Sequence, residues 1–201
     1  MALRDAVLAA LLEGESSGYD LAKSFDASVA NFWTATPQQL YRELDRLATD
    51  GFIAARVVHQ ERRPTKRMYS LTDAGRDAIR EFTAKPPKPS TIRDDLLIKV
   101  SAVDAGDAAA VRDLISEQLR WATAKLARYE RLRERLLHGR TEDEYLAESQ
   151  RVGPYLTLLR GISFEQENIR WGEHALSVIN QRLAARGSDM ESSALPASDA
   201  G

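Results

Sequence analysis

The sequence predicts a mainly α-helical protein with one small β-hairpin, and three observations support this prediction. Apolar residues recur at helical spacing through most of the 201 residues. Between Phe52 and Leu71 the spacing changes to alternation, which is typical of strands. Residues 85–90 contain three prolines, and because proline removes backbone donors and restricts the preceding residue, no helix is expected there. The chain therefore divides into a domain at residues 1–84, a linker at residues 85–90 and a helical domain beyond them.

The composition indicates a folded protein of the cell interior. Hydrophobic residues make up 43% of the chain and charged residues 29%, with a net charge of −2, which is the balance of a globular protein rather than a disordered one. Cysteine is absent, so disulfide scaffolds, thiolate metal sites and cysteine nucleophiles are excluded. No apolar run approaches the roughly 18 residues of a membrane span, and no secretory signal is visible. We expect a soluble cytoplasmic protein with no membrane partner.

Three helices are expected in the first 50 residues, because start and stop signals divide the apolar pattern there. The boundaries are marked by Gly14, by a capping box at Ser17, by a capping box at Thr36, Pro37 and Gln39, and by a C-cap at Asp50 and Gly51. The third helix has the most complete set of signals, since both of its ends are marked.

The next segment predicts a hairpin followed by a fourth helix. Strands are expected at residues 52–58 and 68–71, joined by a polar tip at residues 60–65. Thr72 can cap a helix at residues 73–83. The order helix, helix, helix, strand, strand, helix is that of a winged helix-turn-helix, in which the third helix enters the DNA major groove and the hairpin, or wing, contacts the backbone.

The third helix has one side suited to packing and an opposite side suited to reading bases. The packing side carries leucines at helical spacing: Leu40, Leu44 and Leu47. The opposite side carries side chains whose fork geometry matches base edges: Gln38, Arg42 and Arg46. Gln39 and Tyr41 flank that side, where phosphate contacts are expected. The alternative is an ordinary solvated helix surface.

A basic segment lies in the hairpin. Residues 56–68 contain five basic side chains and one acidic one, although the chain as a whole is slightly acidic. Four of these cations surround the tip: Arg62, Arg63, Lys66 and Arg67. Cations clustered on one protruding element are suited to contact with phosphates or with a minor groove. The alternative is that the charges only prevent edge-to-edge pairing of an exposed hairpin.

Two long helices are expected in the second domain, at residues 91–186, after a short helix at residues 92–100. The first long helix runs to about His138 with the apolar spacing of a coiled-coil seam, interrupted once by Arg133. The second, from about residue 153, has a similar stripe. Residues 187–201 are small and polar, as in a disordered tail. Because one thin helix pair cannot bury both stripes, we expect a homodimer.

The sequence contains no pattern of catalytic or metal-binding residues, and neither enzymatic activity nor a cofactor is predicted. His59, His138 and His174 stand apart from one another and from suitably spaced carboxylates. Every glycine stands singly, so there is no phosphate-binding glycine loop.

The tryptophans are the candidates for a small-molecule site: Trp33, Trp121 and Trp171. Aromatic residues at helical spacing usually pack in a core, and that is one interpretation. The other is that a flat indole face at a dimer seam stacks on a small aromatic effector, for which Trp171 is the preferred candidate.

Several runs of residues carry a resemblance to a known family: Gly18-Tyr19-Asp20-Leu21, residues 39–44 with Leu47, residues 50–53, and residues 63–75. In these runs the chain resembles the PadR family of winged-helix transcriptional regulators. Residues 92–99 resemble the start of the long helical C-terminal domain of the virulence-activator-like subgroup.

The resemblance implies a homodimer, usually a repressor, that binds a palindromic operator in double-stranded DNA and responds to a small molecule. The last two helices match no effector-binding motif of the family, so the ligand stays open. The alternative is a protein-interaction adaptor that keeps the winged-helix scaffold without binding DNA, and the slightly acidic overall balance favours it.

Overall fold

The computed structural model of the chain describes residues 2–28, 35–60, 63–87 and 93–193. By its contacts the chain divides into two compact units, Met1–Ser90 and Thr91–Gly201. The helices of the first unit are α1 (Ala2–Ala10, extended by a 3₁₀ turn at Leu11–Glu13), α2 (Gly18–Ser28), α3 (Pro37–Thr49) and α4 (Asp73–Thr83). Its strands are β1 (Ser16–Ser17), β2 (Ile53–Gln60) and β3 (Arg63–Leu71). A mainly helical fold with a small sheet is therefore confirmed.

The sheet is antiparallel, with the strand order β1-β3-β2. The two-residue strand β1 was not predicted, because two serines show no alternating pattern. The hairpin is also longer than predicted, since β2 reaches Gln60 and β3 begins at Arg63. Pro64 fits into β3 because β1 pairs only with the middle of that strand and leaves this end with one neighbour.

The core of the first unit joins its four helices to the two long strands. Among the side chains that the structure describes, ten form it, all less than 9% exposed: Val7, Leu8, Leu11, Leu21, Leu40, Leu44, Leu47, Ile53, Tyr69 and Ala78. Helix α3 contributes three of the leucines, so the backbone of this helix is fixed by its buried side.

Both ends of α3 carry the predicted signals. At the start, the Thr36 hydroxyl accepts the Gln39 backbone N–H at 3.2 Å, and the Gln39 Oε1 accepts the Thr36 backbone N–H at 2.9 Å. At the end, Gly51 adopts a φ of 77° and the Phe52 N–H donates to the Leu47 carbonyl at 3.0 Å. This is a Schellman motif, which requires the left-handed conformation that glycine favours.

Helix α4 begins in direct contact with the chain leaving α3. Thr72 caps α4 by accepting the Gly75 N–H at 3.1 Å, and its hydroxyl lies 2.7 Å from the Gly51 carbonyl oxygen. A side chain at Gly75 would collide with the Phe52 carbonyl oxygen. The close approach explains why glycine occupies this position.

In the second unit, residues 93–193 are described and contain four helices: α5 (Asp95–Ser101), α6 (Ala108–Leu137), α7 (Glu142–Glu148) and α8 (Gly153–Ser193). Helix α6 ends where His138 adopts a left-handed φ of 49°. Helix α8 continues past Arg186, so residues 187–193 are helical where the sequence predicted the start of a tail. Glycine at position 187 lowers helix propensity without breaking the helix, and no proline follows until Pro196. The rest of the predicted tail, residues 194–201, lies outside the described residues.

Helices α6 and α8 pack antiparallel through two apolar clusters. One is centred on Ile115 and Ile179 and the other on Tyr129 and Leu158. In the part of the chain that the structure describes, none of the helices has the length and apolarity needed to cross a lipid bilayer.

Arg133 interrupts the apolar seam of α6 and forms a polar contact between three helices. Its Nε donates to the Tyr155 hydroxyl on α8 at 3.1 Å, and its Nη2 donates to Glu142 on α7 at 2.8 Å. The Tyr155 hydroxyl in turn donates to the same Glu142 oxygen at 2.9 Å. The interruption seen in the sequence is therefore a hydrogen-bonded network.

Candidate DNA-binding surface

Helix α3 exposes the side that the sequence assigned to base contacts. The leucines on its other side are at most 2% exposed: Leu40, Leu44 and Leu47. Gln38 and Arg42 are exposed, one helical turn apart. Within the described ranges, neither side chain is held by a hydrogen bond or an ion pair. A free guanidinium and a free amide on a rigid helix have the geometry needed to pair with guanine and adenine.

The neighbouring side chains of α3 have only some of their polar groups free to contact DNA. Arg46 makes two loose contacts, with Nη1 3.9 Å from Glu43 and Nε 3.6 Å from Asp50. The Gln39 side-chain oxygen accepts a backbone N–H at the start of the helix, which leaves its NH₂ group free. Tyr41 is 43% exposed. Contact of these three residues with DNA stays a prediction.

Two cations of the wing are paired with carboxylates on the helix-turn-helix. The Lys66 Nζ lies 2.6 Å from Asp20 Oδ2 on α2, and the Arg67 Nη1 lies 2.7 Å from Asp45 Oδ1 on α3. Because Lys66 and Arg67 are adjacent in β3, their side chains leave opposite faces of the sheet. The strand is thus held to both helices, once from each face.

The basic segment, residues 56–68, is neutralised wherever its side chains are described. Its first cation, Arg56, forms a two-point contact with Glu15 at 2.7 and 3.2 Å. Together with Lys66 and Arg67, three of the five cations pair with carboxylates from outside the segment. Arg62 lies outside the described residues, and for Arg63 only the backbone is described.

The pKa shifts agree with these contacts. Hydrogen bonds from Lys66 and then from Ser17 lower the pKa of Asp20 below the ordinary value for aspartate. The hydrogen bond to Glu15 raises the pKa of Arg56. Each of these shifts favours the charged form of the group, as expected for a member of an ion pair.

Comparison with known proteins identifies the family. Residues 7–81 match the PadR-like family of transcriptional regulators, and residues 92–180 match the virulence activator alpha C-terminal domain. The negative transcriptional regulator PadR of Bacillus subtilis is 31% identical over 180 residues, which cover 89% of this chain and 98% of that protein. The chain belongs to the PadR family.

Solved structures of Bacillus subtilis PadR share the fold. The complex with operator DNA is 30% identical, matches 89% of this chain and 99% of that one, and has a TM-score of 0.72. The complex with p-coumaric acid is 30% identical, matches 90% and 99% of the two chains, and has a TM-score of 0.66. PadR proteins are transcriptional regulators, a non-enzymatic function, and the predicted winged helix-turn-helix with long C-terminal helices is confirmed.

Two features of this PadR surface were missed at the sequence level. A side chain at Gly18 would collide with the Tyr41 ring, so the first residue of α2 lies directly against α3. Asp45 lies at about 140° from Leu40 on the helix projection, beside Arg42, so the projection itself contained a signal for a carboxylate on the base-reading side.

Two of the three tryptophans proposed for effector binding lie among the described residues. Trp121 is 63% exposed on α6, whereas Trp171 is partly buried against the cluster of Ile115 and Ile179. Trp33 lies outside the described residues. The packing interpretation fits the position of Trp171, and an effector contact by any of the three stays a prediction.

Proposed function

We propose that this PadR protein is a homodimeric repressor that binds a palindromic operator and responds to a small aromatic effector. The observation that carries the DNA-binding part is the pair of free side chains, Gln38 and Arg42, opposite the buried leucines of α3. The name of the Bacillus subtilis relative, a negative regulator, supports repression. The structure of that relative with operator DNA supports a duplex as the partner.

The two parts of the surface have different tasks in this proposal. Gln38 and Arg42 read bases in the major groove, because their forks pair with adenine and guanine. The flanking positions and the wing contact phosphates, which give affinity but no sequence information. Arg46 lies on the base-reading side with Gln38 and Arg42. The phosphate-contacting residues are Gln39, Tyr41, Arg62, Arg63, Lys66 and Arg67.

Footprinting on the DNA upstream of the protein's own reading frame tests the proposal. A protected palindrome, together with release of that DNA as salt rises, is the expected result. An unrelated duplex of the same length and base composition is the matched control. If neither duplex is retained at low salt, DNA binding is rejected and the adaptor becomes the better interpretation.

The proposed dimer is supported by apolar side chains that the second unit leaves exposed. They lie on α5, α6 and α8: Leu97, Ile98, Leu114, Trp121, Leu156, Phe164 and Val178. A second copy of the chain could bury these side chains in a symmetric interface. Sedimentation of the full chain should give a dimer at micromolar concentration, and a monomer there would overturn this part of the proposal.

The proposed effector is tested with p-coumaric acid, because a structure of the Bacillus subtilis relative contains that compound. We expect the acid to release the operator, and Trp171→Phe to weaken that response. Trp121→Phe is measured beside it, and we expect the smaller loss there, since Trp121 is 63% exposed whereas Trp171 is partly buried. Full retention of the operator at saturating acid would exclude this ligand.

A further inference from the structure

The ion pairs between the wing and the helix-turn-helix place negative charge on the surface that is proposed to meet DNA. Asp20 lies at the start of α2 and Asp45 lies on α3, on the same side as Gln38 and Arg42. Each carboxylate neutralises one cation of β3 in the free protein. A duplex therefore meets two ion pairs where the sequence alone indicates two free cations.

The pairs are exposed enough to be opened by DNA. The side chains of Lys66 and Asp20 are 36% and 50% exposed, and those of Arg67 and Asp45 are 49% and 63% exposed. Exposed pairs are weak, because water screens them and ordering long side chains costs entropy. Phosphates arranged along a duplex are strong competitors, since cations that bind them release condensed counterions.

Each carboxylate has two effects on an approaching duplex. It holds a cation that a phosphate must then take over, and it repels the phosphate itself. Asp20 is also held in place by the Ser17 hydroxyl, which donates to its Oδ2 at 2.7 Å. The charge of Asp20 therefore stays at the surface when Lys66 leaves.

We propose that Asp20 and Asp45 form an electrostatic brake on DNA binding, which holds Lys66 and Arg67 in the free protein and lowers its affinity for any duplex. This inference rests on the proposed contact of α3 and the wing with DNA. It assigns to two acidic residues the task of limiting affinity and setting salt dependence.

The first experiment removes each carboxylate from the full chain and measures binding to the operator and to an unrelated duplex. Asp20→Asn and Asp45→Asn should raise affinity about 2- to 30-fold, since an exposed pair is weak and a dimer contains two copies of it. The gain should appear on both duplexes. It should shrink as salt rises, because salt screens the attraction and repulsion that the carboxylate exerts in the unmodified protein.

The matched control is Asp77→Asn. Asp77 pairs with Arg80 on the same helix, α4, so this variant changes the net charge equally without freeing a wing cation. We expect a clearly smaller gain. Because asparagine can pair with adenine, Asp45→Ala is measured as well, and it should raise affinity for both duplexes to the same extent.

A double-mutant cycle tests whether the brake acts through the wing. In an Arg67→Ala background, Asp45→Asn should lose the part of its effect that comes from freeing the cation, while the part that comes from phosphate repulsion remains. Undiminished gain in that background would overturn the assigned link between Asp45 and Arg67. Circular dichroism of each variant checks that the fold is retained.

Elution from heparin separates failure of this inference from failure of DNA binding. If no variant binds any duplex, the proposed function fails. The brake is then tested by the salt concentration at which each variant elutes from heparin. Later elution of Asp20→Asn and Asp45→Asn than of Asp77→Asn supports the brake. Equal elution, or duplex affinities that are unchanged or reduced relative to Asp77→Asn, overturns it.

Discussion

Arg42 on helix α3 and the described cations of the wing are in two different states. Arg42 on α3 has no carboxylate partner in the described part of the chain, whereas Lys66 and Arg67 on the wing are each paired at 2.7 Å or less. A group that reads a base needs a fixed backbone and free donors, and α3 supplies both. A cation that contacts phosphate can be paired with a carboxylate in the free protein and move to the DNA on binding, because every phosphate of the duplex is an equivalent partner. The difference indicates that specificity lies on the helix and adjustable affinity on the wing.

Removing the Arg42 side chain should have the largest effect on the preference for the operator over an unrelated duplex. Arg42→Ala is expected to cost about 1–3 kcal/mol on the operator and little on an unrelated duplex, because a base contact carries sequence information. Gln38→Ala should behave similarly with a smaller loss. Titrations on both duplexes at fixed salt measure the difference. Equal losses on the two duplexes would show that Arg42 contacts the backbone instead.

Removing Arg63 should affect affinity without affecting sequence preference. Each phosphate contact contributes about 0.9 to the slope of log affinity against log salt, so Arg63→Ala in both protomers should flatten that slope by roughly 2. The loss should be alike on operator and unrelated duplex. An unchanged slope in a folded variant would show that this arginine does not contact phosphate.

The contact between α2 and α3 should have a moderate effect on stability. Gly18→Ala forces the Tyr41 ring to move, and we expect it to lower the free energy of unfolding by about 1 kcal/mol, because overpacked contacts are costly. Denaturant titration measures the change. Gly153→Ala is the control, since a Cβ there meets no neighbour within 4 Å. Equal stability of the two variants would contradict the assigned contact.

The smallest expected effect is on the titration of Asp20. Because the pKa of Asp20 is lowered in the folded protein, its pair with Lys66 stabilises the folded state at neutral pH. This contribution to stability is lost as the pH falls through the lowered pKa. In Lys66→Ala the pKa should rise towards the ordinary value. Carboxyl NMR measures the shift, and the Ser17 hydrogen bond should preserve part of the lowering. No change would mean that Lys66 is not the main partner in solution.

The sequence predicted the features that depend on neighbouring residues. The capping box at Thr36, the left-handed Gly51 and the bounds of α4 follow from local signals, and the structure contains each of them. The exposed side of α3 followed from the spacing of its leucines, because helical periodicity is a local property.

The features that the sequence did not predict depend on distant residues. Asp20 and Lys66 are 46 positions apart, and Asp45 and Arg67 are 22 apart, so their pairing requires the folded hairpin. The strand β1 exists only because β3 passes beside it. A cluster of positive charge counted along the chain therefore overestimates the charge that the folded surface presents.

The network of Arg133 has a consequence for how the second unit can move. A seam of apolar side chains alone is nearly as well packed after one helix slides by a heptad, and a polar residue in the seam specifies the register. The bonds from Arg133 to Tyr155 and Glu142 exist in one alignment of α6, α7 and α8. Sliding would leave the guanidinium without partners. A ligand that binds this unit is therefore expected to move α6 and α8 together as one rigid body, without sliding one helix along the other.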